Sequence, residues 1–216
     1  MQVLDKGSIE LLSHMGDDST VVSSARVSYL GSTKGAEQDE KLIRYLLKNR
    51  HTSPFEQVEF QFLVKCPIFV ARQWHRHRTW SYNEVSRRYT AENIEFYFPK
   101  ELRAQSEDNK QMSAGILINA NSYIGVMETH AVLSLNLYNR MIEAGIVREQ
   151  ARMILPMSMY TSFYAKTDLH NLFHFLSLRN HPHAQEEIRV YAQAIEELIK
   201  PIVPVSYKAW KELQQT

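Results

Sequence analysis

Residues 58–65 read V-E-F-Q-F-L-V-K, with apolar side chains at every second position from Val58 to Val64. This alternation is typical of a strand that buries one face and exposes the other. Upstream, Pro54 breaks the chain and leaves His51 and Ser53 in a loop. Downstream, Pro67 predicts the first turn of a helix through I-F-V-A-R-Q-W. The segment therefore predicts a loop, a half-buried strand and a short helix in succession.

The predicted helix leads into R-H-R-T-W-S-Y-N-E-V-S-R-R-Y-T at 76–90. Between Arg72 and Arg88 lie five arginines against one acid, Glu84, although the whole chain has a net charge of only +1. Arginine forks suit phosphate and carboxylate oxygens, and the interleaved Trp and Tyr rings can stack on a flat ring. The motif, starting at a helix end and continuing as an irregular loop, predicts a nucleotide site. Composition alone leaves open a solvated face of scattered ion pairs.

The bulk composition narrows the class of protein. The 216 residues, with 44% apolar content and only 7 Gly and 7 Pro, predict a single domain over 1–216. One cysteine excludes an internal disulfide and fits a reducing, cytoplasmic location. The sequence shows neither a run of apolar residues long enough for a membrane span nor a secretory leader. The small net charge favours a small anion over a nucleic acid polymer.

The other elements are predicted from apolar periodicity, caps and breakers. Strands are predicted at 2–5, 94–98 and 158–165. Helices are predicted at 8–15 with Ser8 as cap, 37–50, about 112–144 ending at Gly145, 148–154, 169–179 capped by Asp168, 184–199 and after Pro204. This order shows no regular βαβ alternation. It favours an α+β fold with an antiparallel sheet and one long helix.

Three separated blocks of sequence resemble one known family. The pattern R-H-R, seven residues, then Ser, from Arg76 to Ser86, resembles the signature of the flavin-dependent thymidylate synthases, with R-Q-W before it and R-Y after it. H-T-S-P-F-E at 51–56 and L-R-N-H-P-H-A-Q-E-E-I-R at 178–189 agree with that family as well. The resemblance covers the chain to about residue 190. It implies the family's fold and a homotetramer whose active sites are shared between subunits.

The resemblance also implies a reaction, the reductive methylation of dUMP to dTMP. 5,10-Methylenetetrahydrofolate would give the carbon, NADPH would reduce FAD, and the reduced flavin would supply the hydride without an enzyme cysteine nucleophile. The residues themselves agree on the last point. Cys66 follows an apolar strand directly before Pro67, where a buried inert thiol is the favoured interpretation.

The family's functional positions carry over residue by residue. Arg179 is expected to face the pyrimidine and polarise it. The residues implied for FAD are Ser53, Arg76, His77, Arg78, Glu84, Asp168, His170 and His174. Those implied for dUMP are Gln73, Trp74, His75, Arg76, Glu84, Val85, Ser86, Arg87, Arg88, Arg152 and Arg179.

Five of these residues depart from the family's pattern or need a separate argument. Arg87 stands where relatives often have a small residue, and Asp168, His170 and His174 stand where some members have Asn and Arg. Arg152 lies in A-R-M-I-L-P, where an unpaired charge in an apolar helix would be costly, so an anionic partner is expected.

Two other functional classes remain open at this point. The arginine and aromatic loop could bind single-stranded nucleic acid by stacking. The His75/His77, His170/His174 and His181/His183 pairs could form a metal-dependent hydrolase, although a carboxylate-rich cluster at matching spacing is missing from the sequence.

Overall fold

The computed structural model describes residues 1–31, 34–107, 109–110 and 112–214. Within them the strands are β1 Gln2–Val3, β2 Gly7–Met15, β3 Glu59–Pro67, β4 Ser81–Glu84, β5 Arg103–Gln105, β6 Ser113–Ile116 and β7 Tyr160–Asp168. The α-helices are α1 Asp18–Arg26, α2 Ala36–Lys48, α3 Ile68–Trp74, α4 Asn121–Glu143, α5 Arg148–Ala151, α6 Leu169–Arg179, α7 Glu186–Ile199 and α8 Pro204–Leu213. Short 3-10 turns cover Val27–Tyr29, Phe55–Gln57 and Arg152–Ile154.

The main sheet is antiparallel throughout, with strand order β1-β2-β3-β7-β4. Strands β5 and β6 form a separate two-stranded ribbon. Because the helices gather on the main sheet without βαβ units, the prediction of an α+β fold with an antiparallel sheet is confirmed. The 23-residue helix α4 is the predicted long helix, although it is shorter than expected.

Strand β3 lies at the centre of the sheet and behaves as its alternation predicts. Phe60, Phe62 and Val64 are fully buried on one face, and the intervening residues are half-buried. β3 pairs along its whole length with β7, from Glu59 opposite Asp168 to Pro67 opposite Tyr160. Helices α3 and α6 continue directly from the far ends of these two strands, so the sheet fixes where both helices begin.

The predicted helix at 8–15 is wrong, since this segment is strand β2. It pairs with β3 from Ser8 opposite Lys65 to Met15 opposite Glu59, so Ser8 caps no helix. The register shifts between Leu11 and Ser13, which makes Leu12 the extra residue of a bulge. The bulge interrupts the two-residue alternation and places two apolar residues, Leu11 and Leu12, side by side. Adjacent apolar residues are typical of a helix rather than of a half-buried strand, so the segment was mistaken for a helix.

Two further local predictions need correction. The arginine motif is not wholly irregular, because Ser81–Glu84 forms strand β4 at the sheet edge opposite β7. Residues 94–98 form no extended strand and make a single bridge, between Phe96 and Met159.

The long helix begins later than the sequence pattern predicts. α4 starts at Asn121 rather than near residue 112, because Ser113–Ile116 is taken up by strand β6. Asn119, which has a left-handed backbone with φ of 65°, separates that strand from the helix.

The predicted helix ends at Asp168 and Gly145 are present. Asp168 accepts a hydrogen bond from the backbone N–H of Asn171 at 2.9 Å, which fixes the start of α6. After α4, Gly145 has φ of 83° and Ile146 donates back to the Met141 carbonyl at 2.9 Å. That pattern closes a helix with a left-handed glycine. Among the residues described, no helix is both long and apolar enough to cross a membrane.

Candidate active site

The ends of α3 and α6 meet at a cleft of about 700 Å³ that we call the arginine cleft. Its polar lining consists of Gln73, Arg76, Ser177, Arg179, His181, His183 and Gln185. Arg76 follows α3 and Arg179 is the last residue of α6, so two guanidinium groups converge from different elements. Their proximity and burial both lower the pKa of Arg179, burial being the larger cause. The cleft is therefore prepared for negative charge.

Arg179 is held by two acceptors. Its Nε donates to Nε2 of His77 at 3.0 Å, and its Nη2 donates to the backbone carbonyl of Gln73 at 3.2 Å. A guanidinium has five N–H donors. Two are thus fixed, and the remaining three have no partner among the described residues. The side chain is oriented and still has donors for a ligand.

His77 must be neutral to accept the bond from Arg179. It is 7% exposed, and burial, followed by the charges of Arg179 and His174, lowers its pKa to about 4. At neutral pH the bond to Arg179 therefore requires the ring proton on Nδ1.

The turn that carries His77 is fastened to the hydrophobic core. The Tyr82 hydroxyl, on β4, lies 3.0 Å from the carbonyl oxygens of both Trp74 and His77 and shares its one proton between them. Trp74 is fully buried, with its ring 4.9 Å from that of Phe175 and 5.6 Å from that of Phe163. The tryptophan anchor and the tyrosine bond together set the position of the first three residues of the arginine motif.

A second depression, the histidine groove, has a volume of about 380 Å³. Its polar residues are Arg50, His51, Thr52, His170, His174, Ser177 and Gln214, and its apolar ones include Phe55, Phe173 and Trp210. Ser177 also lines the arginine cleft, so the groove and the cleft adjoin. The His174 and His77 rings lie 5.9 Å apart at this junction. The groove combines cationic donors with flat aromatic surfaces.

The residues after β4 lie on a third surface, which we call the loop face. Its depression of about 600 Å³ is lined by residues that include Val85, Arg87, Thr90 and Thr161. Among the described residues it shares no lining residue with the arginine cleft. Glu84 begins this surface, where its Oε1 accepts the Thr161 hydroxyl at 2.5 Å. Within a single chain, Arg76 at the start of the arginine motif therefore lines the arginine cleft, and Val85 and Arg87 near its end line a different depression.

Arg87 is turned into its own loop. It is 9% exposed, and its guanidinium donates to the carbonyls of Glu92 at 2.5 Å and Asn93 at 3.3 Å. The Arg87 side chain is therefore committed to its own loop, and the predicted contact with substrate is left to its backbone amide. The large side chain is accommodated because it closes the loop from 87 to 93.

Ser86, Arg88 and Arg152 come from two neighbouring segments. The Ser86 hydroxyl accepts the Arg88 backbone N–H at 3.2 Å, and the Arg88 guanidinium lies 3.4 Å from Glu149 of α5. Arg152 follows one turn after Glu149. The expectation that Arg152 is buried in an apolar helix is wrong, since it is exposed in a 3-10 turn. Its neighbour Met153 is exposed as well, whereas Ala151 on the other side is buried.

Several predicted contacts are limited by where the side chains lie. The Trp74 indole is in the core, and the His75 ring packs 4.7 Å from Tyr82 and 5.3 Å from Phe163, so neither ring faces the arginine cleft. Asp168 caps α6 and also accepts the side-chain amide of Asn171 at 2.6 Å. Arg78 and Ser53 are exposed, and Ser53 adjoins the histidine groove through Thr52.

The structure adds site residues that sequence reasoning missed. Ser177 continues the face of α6 that carries His170 and His174, so helical spacing could have identified it. Gln185 enters the arginine cleft from the segment before α7; it lies in the block at 178–189 that resembles the family, but that block was given no role for it. Arg50 and Thr52 flank the predicted His51 loop and line the histidine groove.

Comparison with known proteins places this arrangement in a family. The family model described as "Thymidylate synthase complementing protein" matches residues 10–205. The chain belongs to the flavin-dependent thymidylate synthase family. It is 51% identical over 210 residues to the flavin-dependent thymidylate synthase of Thermus thermophilus, covering 97% of this chain and 77% of the relative. The Wolbachia pipientis wMel enzyme is 48% identical over 215 residues, with 98% and 76% covered.

A solved structure agrees with the membership in this family of enzymes. The UMP/dUMP methylase PolB from Streptomyces cacaoi, bound with 5-Br dUMP, superposes with a TM-score of 0.89 at 33% sequence identity. The match covers 98% of this chain and 97% of that one. As a member of this family, the chain is therefore an enzyme, and it shares its fold with a pyrimidine nucleotide methylase.

Among the described residues, neither Cys66 nor any of the histidine pairs belongs to a cluster of reactive side chains. The Cys66 thiol is fully buried, and burial, with Glu84 as a smaller cause, raises its pKa well above the ordinary range. A thiol in that state is a poor nucleophile. No group of three or more His, Cys, Asp or Glu side chains suited to a metal ion occurs among the residues that the structure describes.

The His77–Arg179 bond predicts a pH-dependent stability. Because the folded state lowers the pKa of His77 to about 4, the stability this group contributes is present above about pH 6.5 and lost as the pH falls towards 4. A His77→Gln variant keeps an acceptor that does not titrate. Between pH 7 and pH 4.5, denaturant unfolding should therefore show wild type losing on the order of 1–2 kcal/mol more than the variant. Parallel losses in both proteins would contradict a neutral His77.

Proposed function

We propose that this protein converts dUMP to dTMP by reductive methylation, acting as one unit over residues 1–216. The observation that carries the proposal is Arg179, which two acceptors hold and which lines the same cleft as a second arginine, Arg76. A cation fixed beside the uracil ring stabilises negative charge along N3, C4 and O4 and thereby makes C5 a better nucleophile. The family membership and the likeness to a methylase bound with 5-Br dUMP support the same substrate.

The histidine groove fits a bound FAD. An anionic diphosphate needs donors, which Arg50, His51, His170 and His174 provide, and a flat ring needs aromatic contacts, which Phe173 and Trp210 provide. Because the groove joins the arginine cleft at Ser177, a cofactor there would border the nucleotide, with His77 between the two sites. Bound FAD, reduced by NADPH, would supply the hydride, and 5,10-methylenetetrahydrofolate would supply the carbon.

The chain's own residues bind and orient the nucleotide. Gln73, Arg76 and Arg179 would contact it from the arginine cleft. Glu84, Ser86, Arg88 and Arg152, with the amides of Val85 and Arg87, would contact it from the loop face. The Cys66 thiol takes no part, since it is buried and protonated. We place the protein in the cytoplasm and expect no binding to a membrane or a nucleic acid polymer.

The separation of the two halves supports a homotetramer with shared sites. The arginine cleft and the loop face have no lining residue in common within the described chain, so a complete site would take one half from each of two subunits. Helix α4 also exposes an apolar surface, formed by Tyr123, Val126, Val132, Leu133 and Leu137. Surfaces of this kind usually contact another protein.

The proposed activity is tested by tritium release. Purified protein with FAD, NADPH and methylenetetrahydrofolate should bind flavin and release tritium from 5-tritiated dUMP. Arg179→Ala should lower kcat about 100-fold or more, as removal of a fixed charge-stabilising donor does. Cys66→Ala is the matched control and should retain activity within about twofold. A wild-type protein that refuses FAD and releases no tritium would refute the proposal, as would a Cys66→Ala variant as inactive as Arg179→Ala.

The shared site is tested by complementation. Arg179→Ala removes a group of the arginine cleft, and Arg88→Glu reverses a charge on the loop face, so each variant alone should be nearly inactive. If sites form between subunits, a co-refolded equal mixture should recover activity at about a quarter of the sites, those that combine two intact halves.

The control mixture pairs Arg179→Ala with Arg76→Glu. Both lesions lie in the arginine cleft, so this mixture should recover nothing. A mixture of Arg179→Ala and Arg88→Glu that is no more active than its components would place the whole site within one subunit.

A further inference from the structure

A buried carboxylate lies behind the arginine cleft. Glu187, in the first turn of α7, is 5% exposed, and both of its oxygens are occupied. Its Oε1 receives the Arg103 guanidinium at 2.7 Å and the Tyr97 hydroxyl at 3.4 Å. Its Oε2 accepts the side-chain amide of Gln185 at 2.8 Å. This carboxylate touches no depression assigned to the nucleotide, yet it contacts a residue of the arginine cleft.

The bonds continue from Glu187 to the cleft through two amides. Gln185 Nε2 donates to Glu187, and Gln185 Oε1 accepts from Gln73 Nε2. A carboxylate can only accept hydrogen bonds. Gln185 must therefore turn its NH2 group towards Glu187 and its carbonyl towards Gln73. Gln73 must in turn donate its own NH2 group, which leaves the Gln73 carbonyl oxygen, Oε1, without a partner among the described residues.

We infer that Glu187 is a positioning residue that sets which end of the Gln73 amide faces the nucleotide. We call the hydrogen bonds from Gln73 through Gln185 to Glu187 the relay. Because the relay fixes Gln73 as an acceptor, the cleft offers one carbonyl oxygen beside the donors of Arg179 and Arg76. An acceptor of this kind recognises a hydrogen-bond donor on the ligand, which in dUMP is the N3–H of uracil or the 3′-hydroxyl of the deoxyribose. The inference rests on the proposed function and gives a role to Glu187, which lies in the block at 178–189 but received no function from the sequence.

An isosteric variant should reverse the relay. In Glu187→Gln, the new side chain still faces Arg103, which can only donate, so its carbonyl turns to Arg103 and its NH2 group turns to Gln185. Gln185 then presents its own NH2 group to Gln73, and Gln73 turns its NH2 group to the cleft. The variant exchanges an acceptor for a donor at the substrate without a change in side-chain size.

The chain supplies a matched control. Glu186 also pairs with Arg103, through Nη1 at 2.5 Å, but this carboxylate is not bonded to the Gln185 amide, which donates to Glu187 instead. Glu186→Gln weakens the hold on Arg103 and leaves the relay intact. Gln185→Met is a second way to break the relay, and it does not disturb the Glu187–Arg103 pair.

The experiment is calorimetric titration of FAD-loaded protein with dUMP, alongside melting temperature and the visible flavin spectrum. Glu187→Gln should bind dUMP about 5- to 10-fold more weakly, the size of one lost hydrogen bond. Its flavin spectrum should match wild type and its melting should remain one cooperative transition, at a lower temperature because the ion pair with Arg103 is lost. Gln185→Met should show a loss of about 2- to 4-fold, and Glu186→Gln should bind as wild type does. Two dUMP analogues identify the donor that Gln73 recognises. N3-methyl-dUMP lacks the uracil N3–H, and 3′-deoxy-dUMP lacks the 3′-hydroxyl. The analogue without the recognised donor should bind to wild type and to Glu187→Gln with equal affinity.

The relay is overturned if folded Glu187→Gln binds dUMP as tightly as wild type, or if Glu186→Gln shows the same loss. Should Glu187→Gln fail to fold, an unchanged affinity in Gln185→Met overturns it instead. A wild-type protein that does not bind dUMP at all refutes the proposed function, which is a different result from a failure of the relay.

Discussion

The candidate site depends on the hydrogen bond from Arg179 to a neutral His77. A free arginine at a helix end would sample many conformations, and fixing it costs side-chain entropy of up to about 2 kcal/mol. Here folding already orders the side chain before any ligand binds, because the ring nitrogen of His77 and the Gln73 carbonyl both orient the guanidinium. The bond exists only while His77 is unprotonated, which burial and the neighbouring cation ensure. A charged group is thus held ready beside the proposed substrate.

The sheet makes this bond possible by fixing both of its ends. β3 leads into α3 and β7 leads into α6, so the antiparallel pairing of the two strands sets the starting points of the two helices. β4 then pairs with β7 and brings Tyr82 under the turn that carries His77. Trp74 secures the same turn in the core. A short polar motif on the surface therefore takes its geometry from the interior of the protein.

Much of this architecture is predictable from local sequence, and the failures have physical causes. Strict alternation identified β3, and the Asp168 cap identified α6, because both signals lie within a few residues. β2 was missed because the bulge at Leu12 disrupts its period. β4 was missed because S-Y-N-E is a polar edge strand whose only evidence is its partner β7. The apolar sequence around Arg152 predicted a costly position for a charge, but Arg152 and Met153 both lie exposed at the surface. The contact of Gln73 with Gln185 joins residues 112 positions apart and leaves no local signal.

The most direct test is a crystal structure of the protein with FAD and dUMP. Our account predicts that the pyrimidine lies within hydrogen-bond distance of Arg179, with the Arg179–His77 bond intact and Ser86 and Arg88 reaching the same nucleotide from a neighbouring subunit. A nucleotide bound away from the arginine cleft, or an Arg179 turned away from His77 into solvent, would contradict it.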